Sequence, residues 1–270
     1  MAISLSSLER RTANRPPRLL VYGPPGLGKT TLASEFPDPV FVQVEDGTPG
    51  GLELVSFGHL QSFGEVMEAL TSLLSDDHDF QTVVIDSLDK LEPLVWAQVC
   101  ADNKWDSIES VGYGKGYVAA DAIWTEFLSV CRDLRLRGLT TVHIAHSDIG
   151  RFDDPQTASY SRYDIRLHKR ALALFQDEVD AILFLNQDVT IRKQDGGFTD
   201  SKKEKAGVIT GIIKGTGGGT RWIYAEGRPS FVAKNRYGMP DRMIYQLGQG
   251  YAALAPYLPG RAPAQQQAAE

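Results

Sequence analysis

One stretch constrains the fold of this 270-residue chain more than any other. Leu19-Leu20-Val21-Tyr22 is a short apolar run, the mark of a buried strand, and it leads directly into Gly23-Pro24-Pro25-Gly26-Leu27-Gly28-Lys29-Thr30. The spacing is G-x-x-x-x-G-K-T, and Thr31-Leu32-Ala33-Ser34-Glu35-Phe36 continues it as a predicted helix. The order strand, glycine loop, helix has a physical reason. The strand fixes the loop, and glycines let backbone N–H groups curl round a phosphate without Cβ clashes. The helix turns the positive end of its dipole towards the same anion. Lys29 can reach the β- and γ-phosphates, and the Thr30 hydroxyl can ligate Mg²⁺. The candidate residues for holding a nucleoside triphosphate are therefore Gly23, Pro24, Pro25, Gly26, Leu27, Gly28, Lys29, Thr30 and Thr31.

Further strands follow in the same α/β rhythm. Val40-Phe41-Val42-Gln43-Val44 reads as a second strand, placed beside the first, and it ends at Glu45-Asp46-Gly47. A carboxylate there can polarise a water for attack on the γ-phosphate, with Glu45 favoured over Asp46. Phe63, Val66, Leu70, Leu73 and Leu74 have the spacing of a packing helix. Phe80 to Leu88 reads as a third strand that delivers Asp86 to a Mg²⁺ shell, the Walker B pattern. Ser87, not glutamate, follows Asp86, which argues against the AAA+ arrangement of the catalytic base and directs the search to Glu45. Thr140 to His146 is a fourth strand, on which His143 and His146 point to opposite faces and cannot easily share a metal. His146, at the strand end, either senses the γ-phosphate, orients water, or is a satisfied histidine under a loop.

Between and after these strands the pattern is less regular. Val95 to Tyr117 carries Gly112-Tyr113-Gly114-Lys115-Gly116-Tyr117, either a flexible turn or a loop that stacks on bases through Tyr113 and Tyr117 and meets phosphate through Lys115. Ile123, Phe127, Val130 and Leu134 mark an amphipathic helix that stops at Gly138. Ser147 to Arg166 is a polar connection too long for a tight turn. Its Arg151, Tyr160, Arg162 and Arg166 interleave aromatic and basic groups, as single-stranded nucleic acid requires, while Asp148, Asp153, Asp154 and Asp164 dilute the charge. Leu167 to Glu178 reads as a helix and Ala181 to Leu185 as a fifth strand. Short strands at Val189–Arg192, Gly207–Ile213, Arg221–Ala225 and Phe231–Ala233 then suggest an antiparallel meander where AAA+ enzymes carry a helical lid, with Lys202-Lys203-Glu204-Lys205 as a solvated hairpin tip.

The balance of charge is −6, so any nucleic-acid contact must be a local basic patch. Cys100 and Cys131 form no C-x-x-C, which suggests a reducing compartment and no structural zinc. With no signal-peptide core and no membrane-length apolar run, the expectation is a cytoplasmic protein without membrane contact. The expected organisation is an arm over residues 1–17, a core over 18–258 with a β extension at about 186–245, and a disordered tail over 259–270.

Taken together, these residues resemble a RecA-type recombination ATPase. Val84-Ile85-Asp86-Ser87-Leu88 resembles that family's Walker B, and Lys234-Asn235-Arg236-Tyr237-Gly238 resembles the KNRFG motif of its RadA branch, with Tyr in place of Phe. The short length, the Gly112–Tyr117 loop and Ile144-Ala145-His146-Ser147 resemble compact phage ATP-binding proteins linked to single-strand annealing. The resemblance covers roughly Leu19 to Tyr245 and implies a RecA-like α/β ATPase with a mainly parallel sheet and an antiparallel extension. It implies ATP and Mg²⁺, single-stranded DNA, a phage single-strand binding protein as a partner, and a ring or filament with ATP at subunit interfaces. Lys29, Thr30, Asp86 and Glu45 would carry hydrolysis, and Lys234 and Arg236 would act on a neighbour's γ-phosphate. The rivals are a nucleotide-gated adaptor that does not touch DNA, and a small-molecule kinase, disfavoured because no acceptor pocket or lid arginine cluster is evident.

Overall fold

A computed structural model describes residues 15–154, 158–188, 190–194, 212–216 and 219–259. Ten strands form one sheet. The central ones are β1 (Arg18–Gly23), β2 (Pro39–Gln43), β3 (Ser56–His59), β4 (Thr82–Asp86), β5 (Thr140–Phe152) and β7 (Ala181–Gln187), and these run parallel in the order β7-β1-β5-β4-β2-β3. On the β7 side β10 (Arg221–Tyr224) and then β12 (Arg242–Tyr245) continue the sheet antiparallel. β11 (Lys234–Asn235) also pairs antiparallel with β7. β6 (Tyr160–Ile165) pairs with the far half of β5, and β8 (Thr190–Gln194) with β9 (Ile212–Thr216) forms a separate two-stranded sheet. The fold is that of an α/β P-loop NTPase with a mostly parallel central sheet.

The layers follow from the alternation of side chains along each strand. Leu20 and Tyr22 of β1, Val83 and Ile85 of β4, and Ile182 and Phe184 of β7 face one way. They pack under α2 (Phe63–Ser75), α3 (Leu88–Asn103), α4 (Lys115–Leu136) and α5 (Lys169–Glu178). The intervening Leu19, Val21, Val84, Val142, Ile144 and Leu183 face the other way, against Leu32 and Ala33 of α1 (Lys29–Ser34) and Leu254 of α6 (Gly250–Leu254). Trp124, Phe127 and Phe175 meet edge to face or tilted at the centre of the first layer, with Trp124 1% exposed. Burying side chains of this size stabilises the fold by about 1.5–3 kcal/mol each. Ser62 caps α2 in a reciprocal capping box with Glu65, which fixes where that helix starts.

Several sequence expectations need correction. The second strand does not lie beside the P-loop strand: β5 and β4 stand between β1 and β2. The irregular stretch from Val95 is helical to Asn103 as α3, because Leu88, Leu91, Val95 and Val99 bury one face. The glycine-rich loop ends early, since Lys115 and Tyr117 belong to the first turn of α4. The Ser147–Arg166 connection is a β-hairpin: β5 runs past His146 and pairs with β6 from Ser147↔Ile165 to Phe152↔Tyr160. The C-terminal strands form no single meander. Most extend the main sheet, and the strand expected at Phe231–Ala233 is reduced to isolated bridges from Phe231 beside β11. The helical stop at Gly138 is where the spacing placed it, with φ 102°. The Lys202–Lys205 tip, most of the arm and residues 260–270 lie outside the described residues. Among the described residues no helix is long and apolar enough to cross a membrane.

Candidate active site

The strand order decides which residues meet. β1, β5, β4 and β2 all point their C-terminal ends at one rim, so the loops after them converge. A cavity of about 280 Å³ opens there, lined by Pro25, Gly26, Gly28, Lys29 and Thr30 from the P-loop, Gln43, Glu45, Gly47 and Pro49 after β2, Asp86 from β4, and Ile144 and His146 from β5.

Gly28 sits at φ 93°, a conformation that L side chains rarely adopt, directly before α1. Its carbonyl accepts a hydrogen bond from the Tyr245 hydroxyl at 2.8 Å. Lys29 is 6% exposed, and its ammonium donates to the Gly23 and Pro24 carbonyls, both at 3.0 Å. Burial lowers its pKa, against the pull of Asp86, Asp89 and Glu45. The Thr30 hydroxyl donates to Asp86 Oδ2 at 2.8 Å. Burial raises the Asp86 pKa, and the Thr30 hydrogen bond offsets part of that. Both are shifts towards the neutral form of a buried group, and each is relieved by an opposite charge in the cavity.

Thr30 and Asp86 present a hydroxyl and a carboxylate within hydrogen-bonding distance of one another. Such hard oxygen donors suit Mg²⁺, and beside them the Lys29 ammonium and the Gly-rich backbone suit a polyphosphate. The donor set therefore fits Mg²⁺ together with a nucleoside triphosphate.

Glu45 reaches the cavity although β2 is remote from β1. Its carboxylate accepts from the Ser87 hydroxyl at 3.1 Å and stands 4.0 Å from His146 Nδ1. Asp46 is exposed and does not line the cavity, because it turns away one residue further on. Ser87, Gln43 and Asp89 are partners that the sequence reading missed. Gln43 is two residues before Glu45 and buried at the end of β2, so strand alternation could have found it. Asp89, in the first turn of α3, accepts from the His146 backbone N–H at 2.9 Å and from His146 Nδ1 at 3.0 Å. Burial alone would raise the Asp89 pKa, but these hydrogen bonds outweigh it and hold the carboxylate below its usual range. His143 points to the opposite face, packed against Phe127 and Phe175, and burial lowers its pKa to about 3.

The residues expected to touch DNA are placed less simply. Tyr113 is fully exposed, with φ 50°, and Lys115 opens α4. Tyr117 is a packing residue: its ring stacks on His168 at 4.1 Å, meets Trp96 edge-on, and its hydroxyl donates to Glu109. In the hairpin Arg151 pairs with Asp153, and Arg162 pairs with Asp164 while lying 3.9 Å over the Phe152 ring, which Tyr160 also contacts. Arg166 donates to the Ser147 carbonyl at the hairpin base.

Lys234 and Arg236 are at the other rim. Lys234 donates to the Gln176 carbonyl at 2.5 Å, and Arg236 meets Asp180, the residue before β7, at 3.3 Å. Asn235 shapes the turn by accepting from the Tyr237 and Met239 N–H groups, Gly238 sits at φ 67°, and the Tyr237 hydroxyl bonds Asp180 at 3.0 Å. This is the N-terminal end of β7, opposite the strand ends that line the cavity.

A G-x-x-x-x-G-K-T loop on a parallel sheet, with a part-buried hydroxyl–carboxylate pair beside its lysine, defines a P-loop NTPase. The chain matches a family described as an AAA domain over residues 15–237 and belongs to that family. No match was found among curated proteins. Ser87 after Asp86, and strands in the place where AAA+ enzymes carry a helical lid, argue against an AAA+ arrangement on sequence alone; the family match corrects that expectation and places the chain among AAA domains.

Proposed function

We propose that the protein hydrolyses ATP with Mg²⁺ and couples the reaction to single-stranded DNA in recombination or annealing. The observation that carries the first half is the convergence of Lys29, Thr30, Asp86 and Glu45 on one cavity. Mg²⁺ held by Thr30 and Asp86 would screen phosphate charge. Lys29 neutralises charge that builds on the γ-phosphoryl group, and its burial strengthens that interaction. Glu45 accepts the proton of the attacking water as the water oxygen bonds phosphorus and the bond to the β-phosphate oxygen breaks. Ser87 holds Glu45 in place through the 3.1 Å hydrogen bond.

The second half is supported by β5, which runs without a break from the cavity at His146 into the hairpin. His168, just beyond β6, stacks on Tyr117, and its N–H is accepted by Glu92 of α3, so the hairpin base meets the first turn of α4. Lys115 opens that turn and Tyr113 stands two residues before it, while Arg151, Tyr160 and Arg162 belong to the hairpin. The active form is an oligomer with ATP at subunit interfaces, and the half-exposed Arg236 serves a neighbour's site.

A second reading has its own support. The hairpin arginines Arg151 and Arg162 each sit on an aspartate, which cancels the local positive field. That favours a nucleotide-gated adaptor that binds protein. ATP hydrolysis measured with and without single-stranded DNA separates the two. Stimulation that weakens with salt, and is abolished by Lys29→Ala, supports the DNA reading. Hydrolysis indifferent to DNA supports the adaptor, and hydrolysis that survives Lys29→Ala removes the P-loop assignment.

A further inference from the structure

His146 presents two ring nitrogens, and the fold treats them differently. Nδ1 lies 3.0 Å from Asp89 Oδ2 and 3.2 Å from Oδ1, while the His146 backbone N–H lies 2.9 Å from the same Oδ1. The Asp89 side chain is 3% exposed. An ionised carboxylate only accepts hydrogen bonds, so Nδ1 must be the nitrogen that carries the proton. Nε2 is then the ring atom left for the cavity that His146 lines. In the neutral ring it bears a lone pair. Phosphate oxygens, also acceptors, are repelled by such an atom, whereas a water can donate to it.

The other charged groups around this cavity are Glu45, 4.0 Å from Nδ1, Asp86 on β4, Lys29 on α1 and Arg166 beyond β6. Asp89 alone among them bonds both the backbone and the ring of His146, and so fixes the position and the face of the imidazole together.

We propose that Asp89 is a positioning residue which holds His146 with Nδ1 protonated, so that Nε2 accepts a hydrogen bond from the attacking water and aims it beside Glu45. The inference rests on the reading of this cavity as the nucleotide site. His146 takes no proton from the water; that proton goes to Glu45. His146 sets direction, and a misdirected nucleophile costs about 10²-fold in rate.

The test is Asp89→Asn. Asn can still accept the His146 backbone N–H, but its amide N–H would donate to Nδ1. That drives the ring to the Nε2–H tautomer, which donates into the cavity instead of accepting. Ring ¹⁵N shifts of His146 read the tautomer directly. The expected result is Nδ1–H in the wild type and Nε2–H in Asp89→Asn, with kcat reduced about 10–100-fold and the nucleotide Kd nearly unchanged. Asp89→Asn added to His146→Gln should cost nothing further. A wild-type ring without the Nδ1 proton overturns the proposal. So does a flipped tautomer with unaltered kcat, or losses that multiply in the double variant. Titration with Mg²⁺ and a non-hydrolysable ATP analogue separates the two levels. P-loop amide signals that stay still would remove the nucleotide site itself. P-loop signals that move while His146 Nε2 does not would overturn only the proposal.

Discussion

Glu45 and Asp46 differ by one position and by environment. The Glu45 carboxylate lines the cavity and accepts from Ser87, while Asp46 faces solvent. Glu45→Gln should therefore keep nucleotide binding and stall turnover, because an amide cannot accept the water's proton; a loss of about 10²–10⁴-fold is expected. Asp46→Asn should leave turnover within about threefold of wild type, in line with a surface substitution away from the chemistry. Single-turnover rates with measured nucleotide Kd check both, and reversed effects would make Asp46 the base. At this scale the sequence told much about Lys29 and Thr30, whose spacing belongs to the glycine loop, and about Asp86, the carboxylate that ends an apolar strand. Glu45 was legible as a carboxylate at a strand end. Asp89 was not, since its importance depends on β5 being inserted between β1 and β4, which brings His146 above α3. The packing of Tyr117 was not legible, because a tyrosine near glycines looks the same whether its ring is free or stacked on a histidine from beyond a hairpin.

Elements show where pattern reading succeeds and where pairing decides. The α2 spacing and its capping box are local, and the helix is where the periodicity put it. The β5–β6 hairpin is not local in that sense: its polar residues hide a strand because both faces are half-exposed and its stability comes from the partner strand. The last elements act on the first. Tyr245 at the end of β12 holds the Gly28 carbonyl, and the Glu35 carboxylate just after α1 accepts the Gly248 and Tyr251 N–H groups at 2.7 and 2.9 Å. Gly250 starts α6 against Leu32, and a Cβ there would stand 2.6 Å from Tyr245 Cε2. Gly250→Ala should overpack this strap, lowering stability by about 1–3 kcal/mol and weakening nucleotide binding as Tyr245 leaves Gly28. Urea unfolding and nucleotide titration test it; full stability with unchanged affinity would show that the strap yields freely.

At the scale of the whole molecule the two rims of the sheet have separate tasks. One gathers the nucleotide cavity. At the other, Asp180 accepts from the Arg18 and Arg236 guanidinium groups and the Tyr237 hydroxyl and pairs with Arg135 at 3.0 Å, and Glu178 joins Arg18 and Arg132. Burial would raise the Asp180 pKa, but its bonds to Arg18 and the neighbouring positive charges hold it low. Arg236 lies at the margin of this network, with its side chain 52% exposed against 44% for Arg132. If it completes a neighbour's site, mixing Lys29→Ala with Arg236→Ala protein should recover activity at interfaces that join an intact P-loop to an intact Arg236; such a residue in trans is worth about 10³–10⁵ in rate. A mixture that co-assembles and stays inactive would exclude the trans role. The parallel order also governs how the chain is made. β1 pairs through Leu20 with His143 on one side and Ile182 on the other. The Walker motif therefore leaves the ribosome long before either of its neighbours exists, and the loop cannot be shaped when it is synthesised. An emerging chain that stops short of Ala181 carries the nucleotide signature in its letters but has β1 with one edge bare, a sticky strand in search of a partner. Competence to bind nucleotide is thus a property the chain acquires late in its own translation, although the residues that announce it come first.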